Sequence, residues 1–324
     1  METLFAGSNW RLTIRRTAAG ITIMHAETCD GSAALPEELF GLPVTELAPR
    51  ALAAGRTAPA GEEVLLQCGS GAGEWNNRNL RELTLPASLQ RVGDYAFMDC
   101  FALRTLRLHD GIAFWGGSCF MNCRELDTFH LTRTGAEQGE SLAYIADELS
   151  RELDVTITSA DGTVARLIFP EYLELFEENV PNHHFDYNIY GAGYPYHRCF
   201  QHKKLQMLNY DLLWPGFLAT EHDPVTAVRM AWCRLRWPTE LTEEHAAAYR
   251  SFLAAHAGEM LALLLEERDA AGAAFLLRTV MLDEETLSAG CDLARRLGAS
   301  QVLAILLEEQ HKRFPTGRGK TFEL

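Results

Sequence analysis

A near-repeat with a period of 23 residues constrains the fold of this chain more than any other feature. Segments 78–100 and 101–123 align with each other, and a third, partial copy begins at Arg124. The aligned positions are largely apolar, as in the column of Leu83 and Leu106. One such unit cannot bury its own apolar residues and has to stack on its neighbours, so the period predicts a short solenoid.

Each repeat begins with the pattern L-x-x-L-x-L, which is typical of a strand that turns alternate side chains inward. The side chains between the leucines then point outward and align from one repeat to the next. Two outward columns are predicted, one of Glu82, Thr105 and Thr128 and one of Thr84, Arg107 and His130. We expect a partner to bind these six residues, with Thr105, Arg107, Thr128 and His130 as the face to test first. The alternative is that this face is only solvated.

The second half of each repeat carries Gly93, Phe97 and Cys100 or their equivalents. We expect the glycine at a turn, the phenylalanines of adjacent repeats stacked on each other, and the cysteines buried as small apolar residues. Cys119 and Cys123 could form half of a zinc site, but the sequence offers no matching second pair.

Residues 80–100, LRELTLPASLQRVGDYAFMDC, resemble the BspA-like subclass of leucine-rich repeats, whose unit ends in A-F-x-x-C. Residues 35–52 read as a degenerate first repeat in which Leu47 aligns with Val92. The resemblance covers residues 10–135. It implies a curved binding scaffold of a kind that is often bacterial and includes surface adhesins.

The flanking segments predict further strands. Alternating residues predict a hairpin from Trp10–Ile14 and Gly20–His25, and Val64–Leu66 can supply a strand in an inserted loop. Residues 153–169 predict a second hairpin around an Asp-Gly turn, placed to cap the open end of the solenoid. The following residues, 169–182, predict a short acidic helix.

Segment 183–202 holds four histidines and six aromatic residues. We expect it to form an aromatic joint between two domains. The alternative is a pocket for a glycan or another small molecule, lined by His183, His184, Tyr190, Tyr194, Tyr196 and His197. Further alternatives are a catalytic arrangement of Asp186, a histidine and either a tyrosine or Cys199, and a metal site formed by the histidines.

From Lys203 onward, apolar residues recur at spacings of three and four and predict helices. Thr242 and Asp283 are expected to cap helix starts, Gly298 to end a helix, and Ser300 to cap the next one. The predicted fold class is α+β: a short leucine-rich-repeat solenoid with a β-hairpin cap, then an all-α domain of stacked helical hairpins that loosely resembles ankyrin repeats. The expected domains are 1–138, 139–202 and 203–316, followed by a flexible tail, 317–324.

Charge and motifs narrow the expected function. A net charge of −15 argues against a nucleic-acid partner, and between positions 136 and 178 the acidic residues outnumber the basic ones, which favours a solvated surface over a basic-partner site. A signal peptide and an apolar membrane span are absent from the sequence, which predicts a cytoplasmic protein. Intact catalytic motifs are absent too, so we expect a non-enzymatic scaffold with a protein partner and no cofactor or metal.

Overall fold

The computed structural model describes residues 7–68, 73–133, 135, 140–179 and 184–314. The chain divides into two compact units, Met1–Glu221 and His222–Leu324. The first is built on a β-solenoid and the second is helical, which confirms the predicted α+β class. The finer division at residues 138, 202 and 316 stays a prediction, and the expected tail lies outside the described residues.

Short strands dominate the first unit. They are β1 (Trp10–Thr17), β2 (Gly20–Glu27), β3 (Ser32–Ala34), β4 (Glu38–Leu39), β5 (Leu42–Leu47), β6 (Glu62–Leu66), β7 (Glu82–Thr84), β8 (Arg91–Val92), β9 (Thr105–His109), β10 (Phe114–Trp115), β11 (Thr128–Thr132), β12 (Leu153–Thr158), β13 (Val164–Phe169), β14 (Leu173–Asn179), β15 (His184–Tyr190), β16 (Phe200–Gln201) and β17 (Lys204–Leu205). Its helices are α1 (Glu140–Glu148), α2 (Tyr194–His197), α3 (Met207–Leu212) and α4 (Trp214–Ala219).

Two sheets enclose the core of the solenoid. One has the strand order β10-β8-β5-β2-β1-β6, and the other, named here the repeat sheet, has the order β13-β12-β11-β9-β7-β3. In the repeat sheet Leu83 pairs with Leu106, and Leu106 pairs with Phe129. All three side chains are fully buried, so each contributes roughly 1.5–3 kcal/mol of apolar burial. The apolar columns seen in the sequence are therefore the core.

The second half of each coil also packs as predicted, with one difference. Phe97 and Phe120 stack with ring centroids 5.5 Å apart, and Cys100 and Cys123 are buried. Gly93 has no positive φ. A Cβ there would lie 2.4 Å from the backbone nitrogen of Pro49 in the preceding coil. The expectation that this glycine serves a turn is therefore wrong. The glycine is needed because the two coils approach each other closely at this point.

The degenerate first repeat and the inserted loop are both present. Leu47 pairs with Val92, and the Leu52 amide donates to the Ala96 carbonyl at 2.8 Å. Strand β6, in the inserted loop, pairs with the edge of β1. The predicted strand in this loop is confirmed.

Asn77 fixes the return of this inserted loop to the coils. Its side chain is buried, donates to the carbonyls of Ala26 and Leu52 at 2.8 and 2.9 Å, and accepts from the Thr28 amide at 2.9 Å. Its φ of 58° is a left-handed conformation that asparagine tolerates better than most residues. One side chain therefore joins three separate parts of the chain.

The hairpin at 153–169 extends the repeat sheet. Strand β12 pairs in parallel with β11 as a further rung, and β13 pairs with β12 in antiparallel fashion at the edge. The acidic helix expected over 169–182 is wrong: Leu173–Asn179 is a strand paired with His184–Tyr190. Residues 184–190, rich in aromatic residues and with Ile189, supply a β partner, and this pairing overrides the helical appearance of the acidic segment.

Helix α1, which the sequence did not predict, packs against the last coil of the solenoid, residues 101–123. Its Glu148 carboxylate accepts from the Phe120 amide at 2.7 Å and from the Tyr144 hydroxyl. Its Ser141 hydroxyl accepts from the Trp115 indole nitrogen at 3.2 Å. Tyr144 and Trp115 also stack, with ring centroids 5.0 Å apart. The helix thus covers the end of the solenoid core.

The second unit consists of helices at the positions that the spacing predicts. They are α5 (Pro224–Arg236), α6 (Glu243–Ala255), α7 (Ala257–Glu266), α8 (Ala270–Thr279), α9 (Glu284–Leu297) and α10 (Ser300–Arg313). Thr242 and Asp283 cap helix starts as predicted, and Gly298 ends α9 with a φ of 66°. Ser300 is not a cap: Ala299 takes that position without a side-chain bond, because α10 begins one residue earlier than expected. Within the described residues, no helix is long and apolar enough to cross a membrane.

Candidate functional site

The outward face of the repeat sheet has the register that the sequence predicts. Thr105 lies between Glu82 and Thr128, and Arg107 lies between Thr84 and His130. Because the strands are parallel and in register, these side chains form two rows across the sheet. The rows are the geometric basis of the predicted binding face, whose role in binding stays a prediction.

Exposure differs among these six residues. Glu82 and Arg107 are exposed, whereas Thr84, Thr128 and His130 are half-buried. Thr105, expected to be exposed, is buried, with 9% of its surface accessible. Its short side chain lies on a central strand with a neighbouring row residue on each side, so it offers little surface to a partner.

The face continues onto the hairpin with residues that the sequence reasoning did not include. Asp154 pairs with Thr128, and Thr156 lies between His130 and Arg166. The Arg166 guanidinium donates to both carboxylate oxygens of Asp154, at 2.8 and 2.5 Å. The alternation of residues 153–158 and 164–169 carried this signal, since it already placed Asp154 and Arg166 on the outward side.

The centre of the face is electrostatically mixed. Burial lowers the pKa of His130, as does the nearby positive charge of Arg107, while Asp154 acts in the opposite direction. His130 is therefore neutral at pH 7. Arg107 is an exposed cation on one side of His130, and the ion pair of Arg166 and Asp154 lies on the other side. The face therefore presents both positive and negative side chains. It can pair with a partner surface that also carries charges of both signs.

In the predicted pocket of segment 183–202, the side chains that the structure describes have different surroundings. His183 lies outside the described residues, and of His184 only the backbone, in β15, is described. Tyr190 is 50% exposed and lines a groove of about 580 Å³, while Tyr196 and His197 are buried. Tyr194 is half-buried and packs edge-on against Tyr172.

The imidazole of His197 contacts two backbone carbonyl groups. Its Nδ1 and Nε2 atoms each lie 2.9 Å from a carbonyl oxygen, those of Ala146 in α1 and Pro170. Burial lowers its pKa, so the ring is neutral and links the end of α1 to the segment after β13. Burial also raises the pKa of Cys199 to about 12, which makes this thiol a poor nucleophile. Among the residues described, no group of potential ligands could hold a metal ion.

A groove of about 550 Å³ lies where the last coil meets α1 and residues 197–203. Aromatic side chains of Trp115, Tyr144 and Phe200 line it, together with Arg198 and Lys203. Arg198 forms an ion pair with Asp147 at its margin. Its size is that of a small-molecule site.

Comparison with known proteins identifies the repeats. Residues 71–151 match the family model described as BspA type Leucine rich repeat region (6 copies). The match confirms the predicted resemblance to BspA-type leucine-rich repeats from residue 71 onward. Among solved structures, a leucine-rich repeat protein of T. pallidum is similar at 18% identity and a TM-score of 0.22, over 37% of this chain and 68% of that chain. None of the curated proteins matches the sequence.

The matched stretch includes β7, β9 and β11, so the leucine-rich repeat region contains the rows of the candidate face. Leucine-rich repeats generally serve as protein-interaction scaffolds. The helical unit lies outside the match.

Proposed function

We propose that this protein is a non-enzymatic scaffold that binds a protein partner on the outward face of its repeat sheet. The observation that supports the proposal is the in-register row of Thr84, Arg107, His130, Thr156 and Arg166 across adjacent strands. A row of this kind is held by backbone pairing, so the side chains are positioned before a partner arrives. Such preorganisation reduces the ordering cost of association.

Arg107 is the residue on which we expect binding to depend most. It is exposed near the middle of the row, and arginine is enriched among residues that dominate interface energies. Glu82 on β7 and Asp154 on β12 add carboxylates to the same face. A specific stable partner would bury roughly 1,200–2,000 Å² in total, which requires the face to be covered together with its rim.

The test is affinity capture from the native host with the whole chain and with two charge-reversal variants. Arg107→Glu changes the proposed face. Arg91→Glu, the matched control, changes an exposed arginine of β8 in the opposite sheet. We expect the same partner with the unchanged protein and with Arg91→Glu, and its loss with Arg107→Glu. Capture that fails repeatedly, or that ignores Arg107→Glu, contradicts the proposal.

A second candidate function, a small-molecule receptor, is favoured by the groove of about 550 Å³. Its aromatic walls and the cations Arg198 and Lys203 suit a planar anion such as an aromatic carboxylate better than an uncharged sugar. Calorimetric titration with both ligand classes tests this function, with Phe200→Ala as the groove variant and Phe101→Ala as a control on the leucine-rich repeat region. Absence of heat with either class at millimolar concentration would reject it.

A further inference from the structure

Strands β14 and β15 form a separate two-stranded sheet that exposes an unusual number of large apolar side chains. Phe176 is 72% exposed, and Leu173, Tyr187, Ile189 and Tyr190 are all exposed by at least 36%. A two-stranded sheet is marginally stable by itself in water, and contiguous exposed apolar surface commonly marks an interaction site. This sheet therefore carries surface that a partner could bury.

The register assigns these side chains to two faces. Phe176 pairs with Tyr187, their ring centroids 4.7 Å apart, and Glu174 pairs with Ile189. Strand alternation places these four residues on one side, named here the Phe176 face. Leu173 and Tyr190 lie on the other side, where they line the groove of about 580 Å³ beside Arg151. The Phe176 face points away from that groove.

The segment that carries the Phe176 face has charged side chains of one sign. From Pro170 to Gly191 the chain contains Glu171, Glu174, Glu177, Glu178 and Asp186 and neither Lys nor Arg. The Glu174 carboxylate accepts a hydrogen bond from the Tyr187 hydroxyl, which raises the pKa of Tyr187 to about 12 and keeps it a neutral donor. A carboxylate thus lies directly beside exposed aromatic rings.

These properties select among occupants of the face. A second copy of this chain would bring the same acidic strands against each other, and each copy carries a net charge of −15. A segment rich in Lys or Arg would instead pair with Glu174 and place its cations over the rings of Phe176 and Tyr187. In an extended segment, every second side chain points to the same side. Basic residues at alternate positions would therefore all contact the Phe176 face.

We propose that the Phe176 face binds an extended basic segment of a partner protein, independently of the repeat-sheet face proposed above. The probe for the test is a fluorescein-labelled peptide of alternating lysine and valine, measured by fluorescence anisotropy with the whole chain. A peptide of alternating glutamate and valine is the charge control. We expect the lysine peptide alone to bind, and its affinity to fall as the salt concentration rises.

Variants assign the binding to this face. We expect Phe176→Ser and Glu174→Lys each to weaken binding about tenfold or more, because each removes a cation contact. Phe176→Tyr keeps an aromatic ring and should retain binding, which separates loss of the contact from loss of the fold. Phe101→Ser removes an exposed ring elsewhere, and Glu82→Lys reverses a charge on the repeat sheet. Both controls should bind the peptide normally.

Three outcomes would overturn the proposal. The first is equal binding of the lysine and glutamate peptides. The second is unchanged lysine-peptide binding by both Phe176→Ser and Glu174→Lys. The third is self-association of the unchanged protein in sedimentation that Phe176→Ser abolishes, which would make a second copy the occupant. Arg107→Glu should leave peptide binding intact, so failure here and failure of the repeat-sheet proposal are distinguishable.

Discussion

The two junctions of the last coil, residues 101–123, are built from different groups. Towards the preceding coil, the Phe97 amide donates to a backbone group, the Cys119 carbonyl, at 3.0 Å. Towards α1 the equivalent Phe120 amide donates to the Glu148 side chain at 2.7 Å. A carboxylate therefore stands where the next coil would offer a carbonyl.

This difference shows how a repeat continues and how it ends. Continuation uses apolar columns, backbone hydrogen bonds and glycines that permit close approach, features that can recur with every copy. Termination needs individual side chains of α1 that match individual donors of the coil, such as Glu148 for the Phe120 amide and Ser141 for the Trp115 indole. The end of the solenoid is thus specific to its sequence in a way that its interior is not.

The largest expected effect concerns the aromatic stack that joins both junctions. Phe120→Ala and Phe97→Ala should each lower the free energy of unfolding by about 3–5 kcal/mol, because each leaves a cavity beside the other ring. Urea denaturation of both variants and of the double variant measures this. Since the rings touch, the double variant should lose less than the sum of the two. Additive losses would show that the junctions are independent.

Next in size is the carboxylate cap. Glu148→Ala removes the acceptor of the Phe120 amide and should cost about 1–3 kcal/mol, the penalty of a donor left unsatisfied in a half-buried site. Glu148→Gln retains an acceptor oxygen and should cost less. Glu125→Ala, at an exposed carboxylate just beyond this coil, is the matched control and should be near neutral. Equal losses for Glu148→Ala and Glu125→Ala would contradict the capping role.

The cap should also respond to pH, unlike the junction between coils. Burial raises the pKa of Glu148 above its ordinary value of 4.5. The unfolded chain therefore ionises first, so the stability linked to this group is present below pH 4.5 and is lost as pH rises through the folded pKa. As pH rises through this window, the free energy of unfolding of the unchanged protein should fall relative to that of Glu148→Gln, whose side chain does not titrate. Parallel curves would show that the carboxyl does not titrate differently on folding.

The smallest expected effect is at the indole. Trp115→Phe keeps a ring against Tyr144 but removes the hydrogen bond to Ser141, which should cost about 0.5–1.5 kcal/mol. Ser141→Ala removes the same bond from the other side. If the bond is the cause, a double-mutant cycle will show that the two losses are not additive.

The sequence predicted the repeated contacts and missed several that occur once. The leucine columns and the stacked phenylalanines followed from the period, because every copy reports the same environment. Helix α1 has no counterpart in another copy, and its polar contacts depend on tertiary position. For the same reason the strand at 173–179 was mistaken for a helix: its pairing with 184–190 occurs once, and the acidic residues of the first strand hid the alternation.

The predicted face illustrates the same limit for function. Row positions such as Glu82 and Arg107 follow from alternation alone. The burial of Thr105 does not, since it depends on neighbours on both sides. The different exposure of Tyr190, at the end of β15, and of Tyr196 and His197, buried in α2, could not be read from their proximity in sequence either.

Asn77 has a practical consequence for protein engineering. Because its side chain fastens the returning chain to Ala26, Thr28 and Leu52, the chain between β6 and this residue is held where it returns to the coils. A reporter or affinity tag placed in that interval should leave the repeat sheet and its binding face unchanged. The interval is therefore a site at which the scaffold can be labelled, immobilised or fused without altering the surfaces under test.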